Sequence, residues 1–286
     1  MKTFTGRVAA AVAGAASLVR REGNHGLVVA SFGRHCLVET PEGHRLICHP
    51  RGKKSTAVVG DRVLWQGSHD EGTIEKVQER RNLFYRQDEV RTKSFAANLD
   101  QVLILMAAEP EFSENQLTRA LIAAEATGIR PVIALNKSDL AEPFGRAWTK
   151  LAPYRAMGYE VLELALKSRA EGELADAHTQ AARATLDGLL AGATTVVLGP
   201  SGTGKSTLVN LMVQDAEAAV GEISEALNSG KHTTTHTRWY WLDEGHAAAL
   251  IDTPGFQEFG LHHIELARLA LHMPDLAKHA EHCRFA

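Results

Sequence analysis

The spacing of apolar residues changes once along the chain, and the change divides it. From Gly26 to about Arg86, short alternating runs (Leu27–Phe32, His35–Thr40, His44–His49, Asp61–Gln66 and Thr73–Gln78) lie between turn signals at Gly33, Pro41-Glu42-Gly43 and His69-Asp70-Glu71-Gly72. Alternation puts every second side chain on one face of a half-buried strand, and five such strands at this spacing predict a small barrel. After Ser94-Phe95-Ala96-Ala97-Asn98 the periodicity changes to runs of the buried-strand kind, Gln101–Ala107, Pro131–Leu135, Glu160–Leu164 and Thr194–Leu198. Helical patterns such as Ser113–Thr127 and the alanine-rich Lys167–Leu190 separate them, which predicts a parallel sheet with crossover helices. Beyond Phe259, the positions of Leu261, Ile264, Leu266, Leu269 and Leu271 predict an amphipathic helix, and Pro274 opens a second short one. The expected fold is α/β with an all-β barrel in front, divided as a tail over 1–24, a barrel over 25–93, an α/β domain over 94–260 and a C-terminal helical segment over 261–286.

At 286 residues with 44% hydrophobic content, the chain can bury the cores of two domains. Lys2 and Arg7 before an alanine-rich stretch imitate a signal peptide. Arg20-Arg21 follow at once and the stretch lacks leucine, so a frayed tail or short helix is expected. Three scattered cysteines, Cys36, Cys48 and Cys283, give no disulfide framework and fit a reducing, cytoplasmic setting. No apolar run reaches the roughly 20 residues of a membrane span. The net charge of −3 hides an asymmetry: residues 1–98 hold 16 Lys+Arg against 10 Asp+Glu, leaving 15 against 24 for the rest. A basic front suggests a polyanionic partner, and a merely solvated charged face is the alternative. The five-stranded barrel suited to an oligonucleotide is the OB-fold, whose loops here carry Arg51-Gly52-Lys53-Lys54, Arg80-Arg81 and Arg86. A barrel acting only as a spacer remains open.

Chemistry concentrates in the second domain. Gly199-Pro200-Ser201-Gly202-Thr203-Gly204-Lys205-Ser206-Thr207 follows an apolar strand and opens a helix, the context a phosphate-binding loop requires. Its glycines let backbone N–H groups converge on phosphates, Lys205 reaches the outer phosphates, and Ser206 offers a hydroxyl to Mg²⁺. Asn136-Lys137-Ser138-Asp139 ends the strand Pro131–Leu135 at the carboxyl edge of the sheet. There the Asp139 carboxylate can accept from the ring N–H and the amine of guanine, each such bond contributing about 1.5–3 kcal/mol, while Asn136 braces the loop and Lys137 lies along the base. A helix-capping turn is the structural alternative for this tetrapeptide taken alone. The guanine-reading element precedes the phosphate loop, the reverse of the usual order, so a circularly permuted P-loop domain is expected.

Asp252-Thr253-Pro254-Gly255 closes the apolar run Ala247–Ile251, placing a carboxylate near Mg²⁺ and the Gly255 N–H near the terminal phosphate. Between the two motifs lies Gly230-Lys231-His232-Thr233-Thr234-Thr235, in which Thr234 is the expected Mg²⁺ ligand, with a threonine-rich edge strand as the alternative. The glutamine that orients water in Ras-like enzymes is replaced by Phe256, which cannot polarise water. His232 is the candidate substitute and Gln257 its competitor.

Order and motifs together resemble the RsgA/YjeQ family of small-ribosomal-subunit-dependent GTPases. The resemblance also covers Gly26–Gly33, Arg51–Ser55, Val59–Val63 and Ala97–Gln101, and so runs from about Gly26 to the C-terminus. It implies a late assembly factor that binds rRNA of the small ribosomal subunit, hydrolyses GTP when stimulated by that subunit, is released afterwards, and acts as a monomer with no membrane partner. It also supports a histidine in place of the missing glutamine, here His232. The family carries a zinc site built on Cys-x₄-Cys-x-His-x₅-Cys. This sequence reaches only Cys283 of that set, so no structural zinc is expected, and Cys36 and Cys48 read as core residues. The loop that backs the base reads Ala165-Leu166-Lys167 instead of Ser-Ala or Ser-Ser. Two rivals remain: an RNA-binding module with a structural or regulatory guanine nucleotide, and a P-loop ATPase or kinase, which Asn136 and Asp139 disfavour.

Overall fold

The computed structural model describes residues 23–33, 35–52, 57–67, 71–89, 92–167, 172–213, 236–255, 259–280 and 282. Five strands, β1 (Asn24–Phe32), β2 (His35–Glu39), β3 (Arg45–Pro50), β4 (Arg62–Gly67) and β5 (Glu71–Val77), follow the alternation of the sequence. Every second residue points inward, and Val28, Val38, Leu46, Cys48, Val63, Trp65 and Ile74 fill the interior. The strand order β1-β2-β3-β5-β4, with β4 returning to pair with β1, closes the barrel, and β3 runs parallel to β5. This is the OB arrangement the sequence predicts.

Two basic residues read as RNA-facing are instead built into the frame. Asp61, fully buried, accepts from the Val58 N–H at 2.8 Å and takes a two-pronged grip from Arg80, whose Nε and Nη2 lie at 2.7 and 2.8 Å. That pairing raises the Arg80 pKa above its ordinary value. Arg81 pairs with Asp100 at 2.8 Å and donates to the Asn98 carbonyl at 2.9 Å, tying the barrel to the start of the next domain. Arg51 pairs with Glu75, while Lys53 and Lys54 lie outside the described residues.

A hairpin that the alternation left unread, β6 (Leu83–Gln87) and β7 (Thr92–Ala97), follows the barrel as a separate two-stranded sheet. The second domain is a sheet in the order β10-β9-β8-β11-β13-β12, from β8 (Gln101–Ala107), β9 (Arg130–Asn136), β10 (Glu160–Leu164), β11 (Thr194–Leu198), β12 (Arg238–Trp241) and β13 (Ala249–Asp252). All neighbours are parallel except β12, which is antiparallel to β13. All seven residues of β8 are buried, as expected of a strand covered on both faces. Helix α1 (Glu114–Ala126), with α2 (Ala141–Lys150) and α3 (Ala152–Ala156), covers one face. Helices α4 (Glu173–Leu190) and α5 (Lys205–Met212) cover the other. From β8 the chain builds outward through β9 and β10, then returns to place β11 on the other side of β8, so the β8–β11 boundary is where the strand order reverses. Ligands bind at the carboxyl ends of strands at such a point.

The barrel joins this sheet through β1, which pairs antiparallel with β12 at Ala30 and Arg238, so the barrel extends the sheet at its far edge. Glu39, buried on β2, holds this seam by accepting from Arg45 Nε at 2.8 Å and from Trp241 Nε1 at 2.7 Å. The segment expected as an amphipathic α-helix forms a 3-10 helix over Leu266–His272, followed by α6 (Pro274–Ala280). Neither buries a residue, and Leu266 is 87% exposed, so its apolar positions face no core that would select an α-helical stripe. No helix among the described residues is long and apolar enough to cross a membrane.

Candidate nucleotide site

The phosphate loop begins where β11 ends. Gly199 is buried, and a Cβ there would stand 2.4 Å from the Leu105 carbonyl oxygen, so the loop passes closer to β8 than any side chain permits. Gly204, at φ +105°, turns the chain into α5 in a conformation that favours glycine. The Lys205 ammonium folds back onto the loop, donating to the carbonyls of Gly199 at 2.7 Å and Pro200 at 2.9 Å. Burial lowers the Lys205 pKa, while attraction to Asp252 works in the opposite direction. Ser206 is exposed on the first turn of α5. Thr203, 2% exposed, donates its hydroxyl to the Pro200 carbonyl at 3.0 Å and pins the loop's inner turn.

Asn136 joins the two motifs. Its Nδ2 donates to the Thr203 carbonyl at 2.9 Å, and its Oδ1 accepts from the Leu166 N–H at 3.0 Å. Only 4% exposed, this side chain fastens the phosphate loop to the loop after β10. Lys137, at φ +70°, extends its ammonium to the Glu109 carbonyl, and the Ser138 N–H donates to the Leu164 carbonyl at 3.0 Å. The result is one cleft of about 290 Å³ walled by Asn136, Lys137, Asp139, Leu166, Gly204 and Thr207. Asp139 and the phosphate loop thus face the same space, as one nucleotide would require. The Leu166 N–H is committed to Asn136, so any contact from the Ala165-Leu166-Lys167 loop to a base must come from other atoms.

The third motif arrives from β13. Asp252 is buried, and Thr253 donates to the Val197 carbonyl at 2.7 Å, anchoring the segment to β11. Gly255 passes beside the phosphate loop, where a Cβ would lie 3.3 Å from Lys205 Nζ and 3.5 Å from the Ser201 nitrogen. Ser206 and Asp252 are hard oxygen donors, the set that suits Mg²⁺. His232, Thr234, Gln257 and Cys283 lie outside the described residues.

Sequence reasoning missed what holds the end of this segment. Phe259, buried, packs against Phe84 and Phe95 of the hairpin with ring centroids 5.8 Å away in each case. The Gln87 N–H donates to the Gly260 carbonyl at 3.1 Å, and the His262 N–H to the Gln87 carbonyl at 3.0 Å. The phenylalanine spacing was visible, but nothing local shows that three distant rings meet.

Comparison with known proteins agrees with this geometry. A family model described as RsgA GTPase matches residues 77–262. The small ribosomal subunit biogenesis GTPase RsgA of Variovorax paradoxus is 66% identical over 280 residues, 98% of this chain and 84% of that protein. Its counterpart in Burkholderia pseudomallei is 53% identical over 262 residues, 91% and 80% of the two chains. The crystal structure of YloQ, a circularly permuted GTPase, aligns with a TM-score of 0.61 at 25% identity, covering 94% of this chain and 84% of that one. YjeQ from Thermotoga maritima aligns with a TM-score of 0.60 at 26% identity, covering 87% and 81%. A guanine motif preceding its phosphate loop, an OB barrel in front and these likenesses agree: the chain belongs to the RsgA GTPase family of circularly permuted GTP hydrolases.

Proposed function

We propose that this GTPase acts in late assembly of the small ribosomal subunit, binding rRNA as a cytoplasmic monomer and coupling subunit-stimulated hydrolysis of GTP to its own release. The observation that carries the nucleotide part is Asn136, whose two hydrogen bonds unite base-reading and phosphate-holding loops around one cleft. The names of the relatives and the basic balance of residues 1–98 support the ribosomal part.

In this reading Asp139 selects guanine, Lys137 flanks the base, and residues Gly199 to Thr207 hold the phosphates, with Lys205 exchanging its grip on the loop carbonyls for the outer phosphates. Ser206, Asp252 and Thr234 would hold Mg²⁺, which supplies charge neutralisation at the phosphate oxygens. Gly255 presents its N–H to the terminal phosphate, and His232, or Gln257 in its place, orients the attacking water. Zinc belongs to the family expectation alone, with Cys283 as the residue matched to that ligand pattern. The division at 24, 93 and 260 is likewise our reading, with the hairpin of β6 and β7 lying across the second boundary.

Measuring GTP turnover with and without purified small subunits tests the proposal. Stimulation of at least tenfold is expected, and equal rates would reduce the nucleotide to a structural or regulatory ligand of an RNA-binding module. Asp139→Asn should lose guanine preference. Retained preference would reopen the ATPase or kinase reading.

A further inference from the structure

A second cleft, of about 190 Å³, opens where barrel, hairpin and GTPase domain meet. Ser31 comes from the end of β1, Lys93 and Ser94 from β7, His236 and Thr237 from just before β12, and Pro254 from the motif after β13. It is distinct from the nucleotide cleft, and the two share no lining residue. Three hydroxyl side chains and a lysine line it, and none of its described lining residues is acidic. Phe32 of β1 meets the His236 ring at 5.0 Å, so the barrel touches the segment leading into β12 here. Arg86 stands directly across the hairpin from Lys93 in the strand register. Burial, then repulsion from Arg86, holds the Lys93 ammonium below the ordinary lysine range. A bound anion would offset the repulsion between these two cations.

We propose that this cleft is a second anion site that takes one phosphodiester of an RNA strand laid across the seam between barrel and GTPase domain. It has room for a phosphate group, its hydroxyls can donate to phosphate oxygens, and its position is shared by both domains. Contacts of this kind fix the register of a protein on nucleic acid without reading sequence. Thr237 and Pro254 link the cleft to the segments flanking the nucleotide site, so an occupied cleft braces those segments. The assignment to RNA rests on the proposed rRNA partnership, whereas the anion site itself does not.

The test uses the full chain with its nucleotide cleft saturated by GDP and Mg²⁺, observing the backbone amide resonances of Ser94 and Thr237. Inorganic phosphate and, separately, a short single-stranded oligoribonucleotide are the probes. Both should shift these two resonances in the wild type. In Lys93→Gln, with Lys93→Arg as the charge-preserving control, phosphate should leave them unmoved. The slope of log affinity for RNA against log salt should fall by about 0.7, the loss of one phosphate contact on a single strand. Silence from both probes overturns the anion site. Shifts with phosphate but not with RNA overturn the phosphodiester assignment. RNA that binds without moving Ser94 and Thr237 overturns this inference while leaving the rRNA partnership intact, and an RNA that does not bind at all counts against that partnership.

Discussion

The two arms that form the nucleotide site are built differently. The arm carrying the phosphate loop and Asn136 is bound by buried hydrogen bonds at both ends, from Thr203 through Asn136 to Leu166, and its lysine already rests on its own carbonyls. The arm carrying Asp252 and Gly255 is anchored at its root by Thr253 and again at Phe259, with an exposed Gly255 between. In the proposed reading, the preorganised cradle holds any guanine nucleotide, and the exposed Gly255 of the second arm responds to the terminal phosphate. Binding would then be concentrated in the first arm and discrimination between GTP and GDP in the second.

Substitutions should separate the arms. The largest effect is expected from Asn136→Ala, which leaves the Thr203 carbonyl and the Leu166 N–H buried without this partner at about 1–3 kcal/mol each. GDP affinity measured with a fluorescent analogue should fall by about thirtyfold or more. Gly204→Ala comes next: a Cβ 2.5 Å from Asn136 Nδ2 pushes that side chain aside without removing it, and the left-handed backbone costs about 1–2 kcal/mol. Thr253→Val removes one buried hydrogen bond and should cost about 1 kcal/mol of stability in thermal unfolding. Gly255→Ala brings no contact closer than 3.3 Å, at Lys205 Nζ, the end of a long side chain, so GDP affinity should change less than about threefold while turnover falls. Loss of GDP binding on the scale of Asn136→Ala would erase the contrast.

The barrel provides a control outside both arms. Cys36 and Cys48 face each other across β2 and β3, and burial raises their pKa values to about 11 and about 12. Both thiols should resist alkylation in the native protein at pH 8. Between the ordinary value of 9.0 and about 11, the unfolded chain has lost protons that the native chain keeps, so stability should decline as pH rises through that range. Nucleotide affinity measured below that range should be indifferent to alkylation conditions.

Much of this architecture was legible because burial imposes period. The barrel strands alternate, β8 and its neighbours are largely apolar along their lengths, and the phosphate loop is a local motif between a strand and a helix. What escaped depends on partners distant in sequence. Leu83–Gln87 and Thr92–Ala97 become a hairpin because Phe84 and Phe95 find Phe259. Arg80 read as a nucleic-acid contact because Asp61, which claims it, carries no local signal of burial. Asn136 read as a brace for its own loop, and that its side chain bonds two other loops required the fold. The 3-10 helix at Leu266–His272 shows the reverse error, a periodic pattern with no core beneath it.

The position of β11 in the middle of the sheet has a consequence for synthesis. Ribosomes deliver β8, β9 and β10 first, and these can pair among themselves while one edge of β8 waits for a strand encoded much later. Until Thr194–Leu198 emerges, that edge offers unmatched backbone groups flanked, beyond Gln101, by apolar side chains, a template for incorrect association. Permutation therefore postpones completion of the central pairing to the arrival of the phosphate loop, so a nascent chain can grip nucleotide only once its most vulnerable edge is sealed.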